Sequence, residues 1–115
     1  TSILQHPSEE RIVRIAETEG RLAGFAMAGP SFGGAGEQLL RPRQLYTLYV
    51  PTRFHGTGIG QGLLAAVLGG EPAMLWVARD NPRAVAFYRR NGFEFDGAEH
   101  QDAATPDLLE VRMLR

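Results

Sequence analysis

The chain has no cysteine and no lysine. The first absence removes disulfides, thiolate nucleophiles and cysteine metal sites. The second removes Schiff-base chemistry and the phosphate-binding lysine of a P-loop. All 12 basic residues are arginine. Histidine is scarce, and His6, His55 and His100 lie too far apart in sequence to suggest a metal site. Strong charge of either sign is missing too. The formal net charge is -1, so no electrostatic footprint for nucleic acid or an anionic membrane is present. No apolar run approaches a membrane span, and no signal-peptide pattern is visible. These bounds fit a cytoplasmic enzyme that uses a cofactor or acid–base chemistry, and equally a binding module.

What is there is 115 residues, 43% hydrophobic and 22% charged. That is the size and composition of one globular domain, expected here over residues 1–115. Arg11–Ala16 is rich in β-branched residues and reads as a strand. Gly20 supplies a turn, and Arg21–Ala28 returns as the second strand of an antiparallel hairpin. Residues 29–36 form a glycine-rich loop. Gln44–Val50 is a strand stopped by Pro51. Ile59, Leu63 and Val67 recur at helical spacing within Gly58–Leu68, and Gly69-Gly70 ends that helix. Ala73–Ala78 is a continuous apolar run, as expected for a strand covered on both faces. Together these make a parallel βαβ unit. Asn81-Pro82 is a good N-cap and first residue for a second helix, which stops at Asn91-Gly92. A strand begins at Phe93, a polar loop covers 101–106, and Leu109, Val111 and Met113 alternate with Glu110 and Arg112 in a half-buried last strand. The expected fold is a mixed α/β sheet, antiparallel at its N-terminal side, with a central parallel pair and at least two helices.

The segment from Val50 to Gly62 carries the most chemistry. It leaves a strand and enters a helix, where main-chain N–H groups lack intrahelical partners and the helix dipole is positive. A diphosphate fits such a junction. Glycine at 56, 58 and 60 lets the backbone approach it, and Arg53 can add a charge-assisted contact. A tight turn alone explains one or two glycines. Glycine continuing into the helix at 62 costs about 1 kcal/mol, which points to a ligand. A P-loop is excluded by the missing lysine, and neither register of the glycines matches the dinucleotide fingerprint. Asp80, about twenty residues beyond Gly60, is the one feature supporting a dinucleotide module.

Two motifs bring a family resemblance. Arg53-Phe-His-Gly56-Thr-Gly58 satisfies Q/R-x-x-G-x-G/A, and Asn81-Pro-Arg-Ala84-Val-Ala-Phe87-Tyr88-Arg-Arg-Asn-Gly92-Phe93 is similar to N-x-x-A-x-x-F-Y-x-x-x-G-F. With this order and spacing, the chain from about residue 11 onward resembles the GNAT superfamily of N-acetyltransferases. The resemblance implies acetyl-CoA as donor and an amine as acceptor. It also implies a bulged strand at Leu45–Val50 that splays from Ala73–Ala78 to hold the pantetheine arm. On that likeness the cofactor lies along Leu48, Tyr49 and Val50. Its diphosphate meets the turn from Arg53 and His55 through Gly56, Thr57, Gly58, Ile59 and Gly60. Asn81 and Ala84 flank the arm, and Tyr88 stands near the sulfur as general acid. His55 is expected in the loop beside phosphate. Arg89 and Arg90 are expected as solvated charges or phosphate contacts, and Trp76 and Phe87 as core.

The residues themselves leave the base unassigned. Many family members carry a glutamate or histidine on the central strand, whereas Tyr46, Thr47 and Tyr49 are the only polar side chains within Leu45–Val50. Glu37 in the preceding loop and an ordered water are the candidates. No metal is implied. The family's first strand and two helices, which wall the acceptor site, have no counterpart in the ten residues before Arg11. The expectation is that they precede Thr1 in a longer protein; the alternative is that the second subunit of a homodimer supplies the wall. Acceptors compatible with this reading are a polyamine or antibiotic-like amine, an amino acid, or a protein N-terminus. The competing functions are a non-catalytic acyl-CoA sensor and the dinucleotide module.

Overall fold

The computed structural model describes residues 11–31, 41–101 and 108–115. Glu37 and the polar loop expected at 101–106, apart from Gln101, lie outside the described residues. Strands β1 (Ile12–Thr18) and β2 (Arg21–Pro30) form the expected antiparallel hairpin. Both turn residues, Glu19 and Gly20, have positive φ (54° and 74°), which matches the twist of a two-residue hairpin. β3 (Arg43–Tyr49) follows, then a short 3-10 turn at Thr52–Phe54 and helix α1 (Ile59–Leu68). β4 (Met74–Ala78), α2 (Pro82–Arg90), β5 (Glu94–Gln101) and β6 (Leu109–Leu114) complete the order. The six strands make one sheet, β1-β2-β3-β4-β6-β5, in which β3 and β4 are the parallel pair and every other pairing is antiparallel.

Two irregularities shape the centre. The β2–β3 register shifts between Met27 and Ala28, which face Thr47 and Leu45, so Tyr46 is the extra residue of a bulge. Its hydroxyl donates to the Pro30 carbonyl across the strand. On its other side β3 pairs with β4 only at Gln44–Met74 and Leu45–Leu75. Beyond those two positions the strands diverge. From Thr47 to Tyr49 the β4-facing edge of β3 has no ladder partner.

Both helices contribute to one core. Leu63, Leu64, Val67 and Leu68 of α1 join Ala26, Ala28 and Leu45 of the sheet. Tyr88 of α2 and Phe93 join Leu75, Val77, Val111 and Met113. Burying each large aliphatic side chain of this kind contributes about 1.5–3 kcal/mol. Arg115 ties the helix ends together. Its guanidinium donates to the carbonyls of Gly69 (3.1 Å), Glu71 (2.8 Å) and Asn91 (3.5 Å) and lies 5.0 Å from the Phe93 ring. A cation there meets the negative ends of both helix dipoles. The opposite sheet face is open at the hairpin, where Val13 and Ile15 are half or more exposed and pair with Met27 and Phe25.

β4 corrects one expectation. Met74, Leu75 and Val77 are buried, but Trp76 is half-buried, with the Arg112 guanidinium 5.7 Å from its ring. Arg112 donates through Nε to Asp96 (2.7 Å), and both side chains are mostly buried. Burial alone would raise the Asp96 pKa; the Arg112 hydrogen bond, the Ala98 N–H and the Arg112 charge outweigh it and hold the carboxyl below the usual range. Phe87 likewise packs against the core without being fully buried.

Gly24 lies where β2, the end of β3 and α1 meet. A Cβ there would sit 2.7 Å from the Tyr49 carbonyl oxygen and 3.1 Å from Leu63. Gly24→Ala is expected to destabilise the fold by about 1–3 kcal/mol through overpacking. Urea unfolding, with an unchanged m-value and a lower midpoint, checks this.

Candidate active site

The turn between β3 and α1 is ordered by its own hydrogen bonds. The N–H of Phe54 donates to Pro51 O (2.9 Å), that of His55 to Thr52 O (3.0 Å), and that of Thr57 to Phe54 O (3.3 Å). The Thr57 hydroxyl donates to the same oxygen (2.5 Å). Thr57 is thus tied to the turn itself, while remaining exposed. The first intrahelical bond of α1 runs from Gly62 N–H to Gly58 O (3.0 Å). The N–H groups of Gly56, Gly58, Ile59, Gly60 and Gln61 therefore have no partner among the described residues.

Helix α1 also lacks a side-chain cap. Its N-cap is Gly58 at φ 90°, a left-handed conformation that glycine adopts at no steric cost. The same chain caps α2 in the ordinary way: Asn81 Oδ1 accepts from Ala84 N–H (3.2 Å), with Pro82 next. A Cβ on Gly56 or on Gly58 would meet no atom of the described residues within 4 Å. Gly60 does another job, since a Cβ there would lie 3.4 Å from the Phe87 ring, where α1 and α2 approach.

The other predicted residues are placed as follows. Leu48, Tyr49 and Val50 lie on the diverging end of β3 and just past it. Arg53 is exposed, 5.0 Å above the Phe54 ring, with no ion-pair partner among the described residues. Arg89 is exposed and pairs with Glu94 (3.4 Å); Arg90 is exposed. Ala84 is half-buried behind the Asn81 cap. Tyr88 is 8% exposed, between the rings of Phe87 (5.4 Å) and Phe93 (5.9 Å). Burial pushes its pKa up to about 12. Its phenol has no hydrogen-bond partner among the described residues.

His55 turns its ring toward the residue that follows β3. Nε2 lies 2.7 Å from Val50 O, and Nδ1 is buried with no partner among the described residues. A histidine among glycines gives no sequence signal of this inward contact.

The arrangement is a wedge between parallel strands with unpaired main-chain donors at its open end. One parallel pair in an otherwise antiparallel sheet does not build the doubly wound fold that a dinucleotide module needs. Among the described residues no three His, Cys, Asp or Glu side chains group as metal ligands, and no helix is long and apolar enough to cross a membrane.

Comparison with known proteins agrees with the geometry. The sequence profile of the acetyltransferase (GNAT) domain matches residues 9–95. A probable N-acetyltransferase of Mycobacterium tuberculosis is 34% identical over 86 residues, which is 72% of this chain and 47% of that protein. The chain thus spans about half the length of this curated relative. Among solved structures, nourseothricin acetyltransferase superposes with a TM-score of 0.75 at 24% identity, over 91% of this chain and 64% of that one. The PaiA N-acetyltransferase of Thermoplasma acidophilum, solved with coenzyme A, superposes with a TM-score of 0.66 at 21% identity, over 91% and 60%. At these identities the structural likeness speaks for the fold. The profile match, covering most of the chain, establishes the family: this chain belongs to the GNAT acetyltransferases.

Proposed function

We propose that the chain forms the catalytic part of an N-acetyltransferase that moves an acetyl group from acetyl-CoA to a primary amine by direct attack in a ternary complex. The observation that carries this reading is the set of N–H groups at Gly56, Gly58, Ile59 and Gly60 that have no partner among the described residues, at the turn where β3 has left β4. Two linked phosphates suit that set, and Arg53 adds charge from the surface. The free edge of β3 from Leu48 to Val50 offers main-chain groups to an amide-bearing arm. Asn81 keeps its Nδ2 for the same arm after Oδ1 has capped α2.

The bound thioester supplies an activated acyl carbon with a thiolate leaving group. The chain's own part is to hold and to move protons. Tyr88, with its pKa near 12, keeps its proton at neutral pH and can donate it to the departing sulfur. A main-chain N–H along the β3 edge can receive charge developing on the carbonyl oxygen. The amine must lose a proton before attack, and an ordered water is the acceptor we favour on a strand without carboxylate or imidazole. Holding amine and thioester together supplies the main acceleration. No covalent enzyme intermediate is required. That same bare strand favours a second reading, a non-catalytic acyl-CoA sensor.

The experiment is to incubate the full-length protein with acetyl-CoA and a panel of polyamines, aminoglycoside-like amines, amino acids and peptides, and to follow thiol release. Turnover with any amine supports the enzyme. Saturable CoA binding without turnover across the panel replaces it with the sensor, and preference for NAD over CoA in thermal shift removes both.

Three outcomes are expected of variants. Gly58→Val abolishes CoA binding in calorimetry, because its side chain enters the diphosphate space, and loses about 1–2 kcal/mol of stability at positive φ. Tyr88→Phe lowers kcat more than it weakens CoA binding. Tyr88 also gives an alkaline signature. Its folded pKa lies above the unfolded value of 10.0, so the unfolded state binds fewer protons once pH exceeds 10. Stability then falls by roughly 2–3 kcal/mol between pH 10 and 12, and Tyr88→Phe flattens that fall in denaturant titrations.

A further inference from the structure

The His55 imidazole is a polar group of the turn that the chemistry above does not use. Its Nε2 lies 2.7 Å from Val50 O. A carbonyl can only accept, so Nε2 carries the hydrogen and donates. Nδ1 is closed off from solvent and has no partner among the described residues. A ring turned this way presents neither nitrogen to a ligand outside the protein.

Its effect falls on the main chain instead. Val50 is where β3 gives way to the turn. Its Cγ2 lies 3.2 Å from the position a Cβ on Gly24 would take and 3.7 Å from that on Gly60, so its side chain fits between β2 and α1. The His55 bond holds its carbonyl and closes the six-residue segment Val50–His55 on itself. Inside and just after that segment the N–H groups of Phe54, His55 and Thr57 donate to carbonyls of the turn. Those of Gly56 and Gly58 have no acceptor among the described residues. This division between paired and unpaired donors requires the turn to keep one conformation, although both glycines that carry the unpaired donors are the least restrained residues available.

We propose that His55 is a positioning residue for the diphosphate site: its bond to Val50 O fixes the turn so that the Gly56 and Gly58 N–H groups converge on one anion. It acts through the backbone and makes no contact with the ligand. The inference rests on the acetyl-CoA reading given above. A glutamine amide can reach the same carbonyl as a donor, whereas leucine fills the space without one.

The test uses the full-length protein, with CoA as the probe. Relative to the wild type, His55→Leu is expected to weaken CoA binding in calorimetry about tenfold, the scale of one lost hydrogen bond. His55→Gln is expected to stay within about threefold. With an active amine, His55→Leu raises KM for acetyl-CoA and leaves kcat nearly unchanged. Two measurements need no ligand. Ring nitrogen NMR of the wild type should show the hydrogen on Nε2, and amide exchange at Phe54 and Thr57 should quicken in His55→Leu and recover in His55→Gln. Unchanged affinity in His55→Leu overturns the proposal. So does equal loss in both variants, which would mean that the imidazole itself meets the ligand, and so does a hydrogen found on Nδ1. If the wild type binds no CoA, the acetyl-CoA reading and the positioning role fall together, while ring NMR and amide exchange still decide whether the His55–Val50 bond orders the turn.

Discussion

A peptide N–H that finds no acceptor inside the protein must find one in water or in a ligand. Residues 56–61 are arranged around that constraint. The 3-10 turn consumes some donors, the helix consumes those from Gly62 onward, and the rest remain at one corner of the sheet. An ordinary N-cap would satisfy part of this set, as Asn81 does at α2. Gly58 satisfies none of it. The bare helix end is stable because α1 draws its stability from Leu63, Leu64, Val67 and Leu68 in the core rather than from its cap.

The second requirement is a gap in a sheet, where hydrogen bonding ordinarily leaves none. The bulge at Tyr46 and the short β3–β4 pairing provide it together. A bulge increases local twist and bends the strand that carries it. β3 therefore stays with β2 through Tyr49 while it leaves β4 after Leu45. β4 keeps its order by pairing with β6 along its whole length. The candidate site thus lies where two well-held halves of the sheet part.

Much of this was readable from local pattern. The strand–turn–helix around the glycines, the Asn81 cap and the alternation of Leu109, Val111 and Met113 all depend on neighbours in sequence, and all match the observed elements. The resemblance carried by the two motifs anticipated the splay, which periodicity could not, because the length of a strand pairing is set by twist and packing between distant segments. Trp76 shows the limit of composition. Its run is apolar throughout, yet which face receives the helices is decided by topology, and Trp76 lies on the other one beside Arg112. His55 shows a second limit. Its neighbours suggest a surface loop, and only the folded turn brings Nε2 to Val50 O. Glu19 shows a third, since only glycine was marked for the left-handed turn it shares.

The two rungs at Gln44–Met74 and Leu45–Leu75 also act as a fulcrum. Tyr49 stands four residues past Leu45, roughly 13 Å along the strand at about 3.3 Å per residue. A small rotation of β3 at the apex is therefore magnified at the mouth, where about one degree moves Tyr49 by roughly 0.2 Å. Leu45 and Leu75 are both almost completely buried, so a change in the volume of either would be felt at the apex, where the core is close-packed. Relatives with different hydrophobes at those two places would present wedges of different width, without any change along the edges of the wedge itself.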